Sequence, residues 1–127
     1  MQMVVALKPI WDSAGIERLV ISTYQSVSGT GQSAVEELRG QSRAALEGET
    51  AEADVYPHPI AFNVLPQVEV FEPGDDYTTE ERKLMAETRK ILSAGEGLWI
   101  SATCARVPVF VGPVSYTHLT LPTTPYV

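Results

Sequence analysis

Cysteine is almost missing from this sequence: Cys104 is the only one in 127 residues, so no disulfide can close within the chain. Histidine is nearly as scarce. His58 and His118 stand apart, and with a single thiol they leave no cluster at metal-ligand spacing, which excludes zinc modules and disulfide scaffolds. Basic side chains number nine against sixteen acidic ones, a net charge of −7, and that balance disfavours nucleic acid or a membrane surface as a partner. No stretch approaches the roughly 18 to 20 consecutive apolar residues of a spanning helix, and the first residues lack the basic-then-apolar order of a signal peptide. The expected compartment is therefore the cytosol. Internal repeats at solenoid periods are also missing.

What is present is a globular composition, 44% hydrophobic and 20% charged, at a length suited to one domain. Met3, Ala6, Leu7 and Ile10 fall at helical spacing beside Val4, which predicts a short helix over residues 1–10 that closes near Pro9. No capping residue precedes it, so the groups that normally start a helix are expected before residue 1. Turn chemistry at Asp12–Gly15 leads to an apolar strand over 17–24, built on Leu19, Val20 and Ile21. A glycine turn at 28–31 follows, then an amphipathic helix from Ser33 to about Gly48 with Val35, Leu38, Ala45 and Leu46 on its apolar face.

Residues 49–59 read as a proline-bounded loop, and 63–65 with 68–71 as strand-like pieces interrupted by Pro66. Thr78 and Glu81 have the spacing of a capping box, which predicts a helix to about Leu92. Leu98–Val111 then reads as a long apolar strand whose later part Pro108 demotes to an edge. The order α-β-α-(β)-α-β is an α+β or α/β pattern.

Several side chains carry possible chemistry. The turn Ser28-Gly29-Thr30-Gly31 between a strand and a helix start can present N–H groups to an anion, although a plain tight turn explains the same residues. Cys104 has no neighbouring histidine or helix N-terminus, which favours a buried structural thiol. Arg106 is the lone charge from Ser101 to Val111, on the same strand face as Cys104, and needs either an anionic partner or a path to solvent. Glu80 and Lys83 are one helical turn apart and can face a common site or form a solvated pair. Neither histidine has a partner in view.

Five blocks in order, Gln2–Pro9, Ser22–Gly29, Ile60–Gln67, Glu87–Ile91 and Ser101–Val109, resemble bacterial aspartate-semialdehyde dehydrogenase, and the resemblance runs from Gln2 to Gly112. It implies an NADP-dependent oxidoreductase of lysine, methionine and threonine biosynthesis that interconverts L-aspartyl-4-phosphate and L-aspartate-4-semialdehyde with release of phosphate. The implied fold is α+β, part of the catalytic and dimerisation domain with a mixed sheet and helices, the Rossmann domain being absent. Homodimers or homotetramers are the implied assembly of the full-length enzyme.

The family's nucleophilic cysteine precedes the segment matching Gln2-Met3, and its catalytic histidine follows the Arg-Val-Pro strand where Pro113 stands here. The chain by itself is accordingly expected to be inactive. By resemblance, Gln25, Glu80, Lys83 and Arg106 bind substrate: Gln25 positions it, Glu80 meets its amine, Lys83 its phosphate and Arg106 its carboxylate. Ser28 and Gly29 contact NADP.

N-acetyl-γ-glutamyl-phosphate reductase, with related chemistry, and a non-catalytic dimerisation module are the alternatives. The first is disfavoured by the Tyr-Gln-Ser-Val-Ser-Gly and Ser-Ala-Thr-Cys-Ala-Arg blocks. Residues 113–127 hold no charged side chain, four threonines and three prolines. They look like one reading frame of a transposase sequencing adapter, so residues 1–112 are expected to be dehydrogenase and 113–127 a non-native tail.

Overall fold

Leu19, Val20 and Ile21 lie in the first half of the central strand. In the computed structural model, which describes residues 2–112 and 114–122, β1 (Arg18–Gln25) lies between β2 (Trp99–Arg106), parallel to it, and β3 (Val114–Thr120), antiparallel to it. Helices α1 (Gln2–Ala14), α2 (Gln32–Leu46) and α3 (Thr79–Leu92) complete the regular structure with a short 3-10 turn at Val27–Gly29. Three helices on a mixed three-stranded sheet make the α+β arrangement expected, and no doubly wound parallel sheet occurs among the described residues.

Alternation along the strands gives the sheet two unlike faces. On one, Leu19, Ile21, Ile100 and Ala102 pack with Val4 and Leu7 of α1 and with Met85 and Leu92 of α3. Leu19 is fully buried there, so Leu19→Ala should remove about 3 kcal/mol of stability, read as a lower denaturant midpoint at unchanged slope. The other face carries Tyr24, Trp99 and Tyr116, all exposed, with the Arg18 guanidinium 4.5 Å from the centre of the Trp99 ring.

A second, smaller core of Val27, Ala34, Leu38, Ile60 and Leu65 joins α2 to the loop that follows it. Gln41, buried in the helix, bridges the two: its amide donates to the Glu52 carbonyl at 2.7 Å and accepts from the N–H groups of Ile60 and Ala61 at 2.8 and 3.1 Å. One turn away, the Glu37 carboxylate accepts from the N–H groups of Asp54, Val55 and Tyr56. The apolar face therefore runs through Ala34, Leu38 and Gln41 rather than through Leu46, which is exposed.

Other boundaries depart from expectation for local reasons. The first helix continues through Pro9 to Ala14. Proline removes one N–H bond to the residue four earlier, and Val5 there is 77% exposed, so its carbonyl lies on the solvent side, where water can replace the lost donor. Residues 63–65 and 68–71 make only isolated bridges, Leu65 to Arg106 and Phe71 to Thr78, because Pro66 and a positive φ of 66° at Glu69 break the extended run. β2 ends at Arg106, just ahead of Pro108, rather than reaching Val111. The segment beyond it folds back, its Val109 and Phe110 carbonyls accepting from the N–H groups of Val27 and Ser28.

The helix at Thr78 starts as the spacing predicts. Thr78 Oγ1 accepts from the Glu81 N–H, and the Glu81 carboxylate accepts from the Thr78 N–H at 2.9 Å. In the preceding turn the Arg82 side chain and the Tyr77 N–H hold the Asp75 carboxyl at about 2, below its usual 3.8. A lowered native pKa means that whatever stability this exposed pair adds is present above the ordinary value and lost as the pH falls through about 2.

Candidate functional site

Because β1 and β2 are parallel and in register, their C-terminal ends meet, and Gln25 stands opposite Arg106. Ligand clefts in such sheets form at the carboxyl ends of parallel strands, and here a cleft of about 420 Å³ opens there. Gln25, Ser28, Gly29, Glu80 and Arg106 all line it. Five of the six residues that the resemblance assigns to binding thus come together from three separate stretches of chain. Lys83 is not among the lining residues; it is exposed, with Nζ 3.7 Å from Glu80 Oε2.

Arg106 is buried at 8% exposure, without a carboxylate partner among the described residues. Nη1 donates to the Ser26 carbonyl at 2.8 Å, while the buried Nε finds no partner among the described residues. A guanidinium with so few of its donors engaged has donors left for an anion in the cleft it lines, and the planar fork suits a carboxylate. Glu80 supplies the opposite charge. Its Oε1 accepts from Gln25 Nε2 at 3.4 Å, the same amide nitrogen lying 3.4 Å from Thr23 Oγ1.

The glycine turn is only partly available to a ligand. The N–H groups of Val27, Ser28 and Thr30 are engaged by the carbonyls of Val109, Phe110 and Val27. Ser28 remains exposed, with its hydroxyl 3.0 Å from that of Ser26, and α2 begins at Gly31 without a side-chain cap. A Cβ on Gly29 would lie 3.4 Å from Arg106 Nη1, so glycine here leaves room for the guanidinium.

Cys104 is fully buried and its thiol is pushed up from the usual 9.0 by desolvation, against a hydrogen bond to Thr23 that works the other way. It stays protonated at neutral pH. Iodoacetamide should leave native Cys104 unmodified at pH 8 and label it only after denaturation, checked by mass spectrometry. Since the raised value belongs to the folded state, the linked stability is full below pH 9.0 and declines as the pH rises beyond it.

Two contributors gave no sign in the sequence. The Ser26 carbonyl is backbone and leaves no residue-type signature, and Tyr56, whose ring centre lies 5.6 Å from the Arg106 guanidinium, is fifty residues away in a loop. A second cavity, also about 420 Å³, lies between α2 and residues 50–55; it is lined by acidic residues, and Glu37 within it is occupied in holding the loop.

Residues 7–125 match the family model described as semialdehyde dehydrogenase, dimerisation domain. The aspartate-semialdehyde dehydrogenase of Aquifex aeolicus is 56% identical over 112 residues, covering 87% of this chain and 32% of its own length. Among solved structures, the aspartate semialdehyde dehydrogenase II of Vibrio cholerae complexed with ASA superposes with a TM-score of 0.87 at 45% identity, covering 94% of this chain and 35% of that one. The Candida albicans aspartate semialdehyde dehydrogenase with NADP gives 0.59 at 26% identity, over 97% and 29%. The chain spans about a third of the length of these relatives, and they do not favour the acetylglutamyl-phosphate reductase alternative. With the family model spanning most of its length, the chain belongs to the semialdehyde dehydrogenase family and carries its dimerisation domain.

Proposed function

We propose that this chain is the substrate-gripping and dimer-forming part of an NADP-dependent aspartate-semialdehyde dehydrogenase of the cytoplasm, which interconverts L-aspartyl-4-phosphate and L-aspartate-4-semialdehyde with release of phosphate. The observation that carries the reading is a buried arginine, with no carboxylate partner among the described residues, lining one cleft together with the Glu80 carboxylate. That pair of charges suits the head group of an α-amino acid, with Arg106 taking its carboxylate and Glu80 its ammonium. Gln25, tied to Glu80, orients the substrate between them, and Lys83 at the rim meets the phosphate.

Ser28 and Gly29 contact the nicotinamide cofactor, which supplies the hydride when bound. With three of the neighbouring N–H groups engaged, the turn fits a contact through the Ser28 hydroxyl and the bare Gly29 backbone better than a phosphate cradle. The protonated, buried Cys104 supplies no thiolate, so the 127 residues by themselves turn nothing over. The exposed sheet face bearing Tyr24 and Trp99 pairs with a second copy in a homodimer, or in a homotetramer built from such dimers. Residues 1–112 are the dehydrogenase segment and 113–127 a non-native tail, a reading supported by the resemblance ending at Gly112 and by a β3 whose side chains are mostly exposed. Resequencing the source locus tests it.

The substrate reading is tested by amide NMR of this chain titrated with L-aspartate. Saturable millimolar shifts at Gln25, Ser28, Gly29 and Arg106 are expected. Shifts elsewhere, or none, would overturn it. Expressed at the length of its relatives, the protein should oxidise aspartate semialdehyde only with both NADP and phosphate present.

A further inference from the structure

We propose that Tyr56 is a positioning residue for the anion site: its ring fixes the plane of the Arg106 guanidinium beside the cleft that Arg106 lines. The proposal deepens the substrate reading above and rests on it for the identity of the ligand. Arg106 sits at the last position of its strand, and among the described residues its side chain has a single hydrogen bond, from Nη1 to the Ser26 carbonyl. One bond at one corner leaves a planar group free to swing about that corner. A second restraint on its flat face is needed, and the Tyr56 ring is placed to supply it, 5.6 Å from the guanidinium carbon and within cation–π range. Burial of the arginine strengthens that attraction, because little water competes for the charge.

Tyr56 is itself held from three sides. Its hydroxyl lies 2.7 Å from Thr30 Oγ1, in the turn that carries Ser28 and Gly29. The Glu37 carboxylate accepts from its N–H at 3.4 Å and from the two N–H groups before it at 2.6 and 2.8 Å. Its ring packs on the core of Val27, Ala34, Leu38, Ile60 and Leu65. Leu65 in turn exchanges both backbone hydrogen bonds with Arg106, at 2.8 and 3.0 Å. Residues 56 to 65 therefore brace both the backbone and the side chain of Arg106, and α2 braces them. Removing the ring should loosen the guanidinium without removing its charge, which weakens anion binding rather than abolishing it.

The test uses this chain with Tyr56→Phe, Tyr56→Leu and pentafluorophenylalanine at position 56, with L-aspartate as the probe. The Arg106 Nε–H resonance reports the guanidinium directly, before any ligand is added. In Tyr56→Phe that resonance and the aspartate affinity should stay within about twofold of the original, whereas Tyr56→Leu should lose the ring-current shift and bind about five- to tenfold more weakly. The fluorinated ring keeps the shape but reverses the quadrupole, so it should behave like leucine even if the leucine variant fails to fold. Unchanged affinity with the fluorinated ring, or an unchanged Nε–H resonance in Tyr56→Leu, would overturn the proposal. If the original chain does not bind L-aspartate, the substrate reading fails while the Nε–H comparison still decides the role of Tyr56.

Discussion

Arg106→Leu should abolish measurable L-aspartate binding, a loss of at least about a hundredfold, while lowering thermal stability much less. The asymmetry follows from what the arginine does in the folded chain. Among the described residues it donates one hydrogen bond, to Ser26, and holds a buried Nε without a partner, so the fold gains little from its charge. A bound carboxylate, by contrast, draws on the whole charge in a desolvated cleft, where truncating one partner typically costs about 3 to 5 kcal/mol. Arg106→Lys is the sharper comparison. An ammonium carries the same charge but lacks the second edge, so it cannot hold the Ser26 carbonyl and grip a planar carboxylate side-on together. Binding roughly thirtyfold weaker, about 2 kcal/mol, is expected by titration calorimetry. If leucine at position 106 binds L-aspartate as well as arginine does, the cleft does not work as described.

Glu81→Ala should be the most destabilising single substitution on the polar side of α3, at about 3 kcal/mol by denaturant melting. Glu81 is buried at 4% exposure and its two oxygens serve two elements. Oε2 accepts from the Thr78 N–H and completes the cap, while Oε1 accepts from the Cys104 N–H at 2.9 Å on the outer side of β2. Alanine leaves both donors buried without partners, and each orphan costs about 1 to 3 kcal/mol. Hydrogen exchange separates this from simple fraying of the helix: the Cys104 amide, inside a strand, should lose protection together with Thr78. A Glu81→Ala chain that keeps a protected Cys104 amide would show that something else closes that edge.

Legibility in the sequence depended on whether a residue's role lay within its own neighbourhood. The Thr78 cap and the strand at Leu19–Ile21 are local, and both could be read directly. Arg106 could be flagged as the one charge in an apolar strand, but its partner, a backbone carbonyl eighty residues earlier, could not. Gln41 looks like an ordinary polar residue on a helix and Glu81 like a local cap alone, and only tertiary structure shows that each also satisfies backbone groups in a distant segment. Periodicity consequently placed the buried face of α2 toward Leu46, since it counts a buried glutamine as polar. Of the site, Gln25 and the roles of the other side chains came from family resemblance, and their convergence came from the parallel register of β1 and β2, which no residue type encodes. The end of β2 was misplaced because Val107 and Val109 are strand formers, and the fold-back at Pro108 is fixed by contacts to Val27 and Ser28.

The attachment of residues 52–61 to Glu37 and Gln41 has an evolutionary consequence. Two side chains of α2 hold this loop through its backbone, accepting its N–H groups and donating to one of its carbonyls, and a backbone group is the same whatever residue carries it. The information for the loop's path is thus stored in the helix, which leaves exposed positions such as Glu52 and Asp54 free to drift. Glu37 and Gln41 are not free in this sense. Lineages of this domain should diverge in the loop long before either helix residue is exchanged.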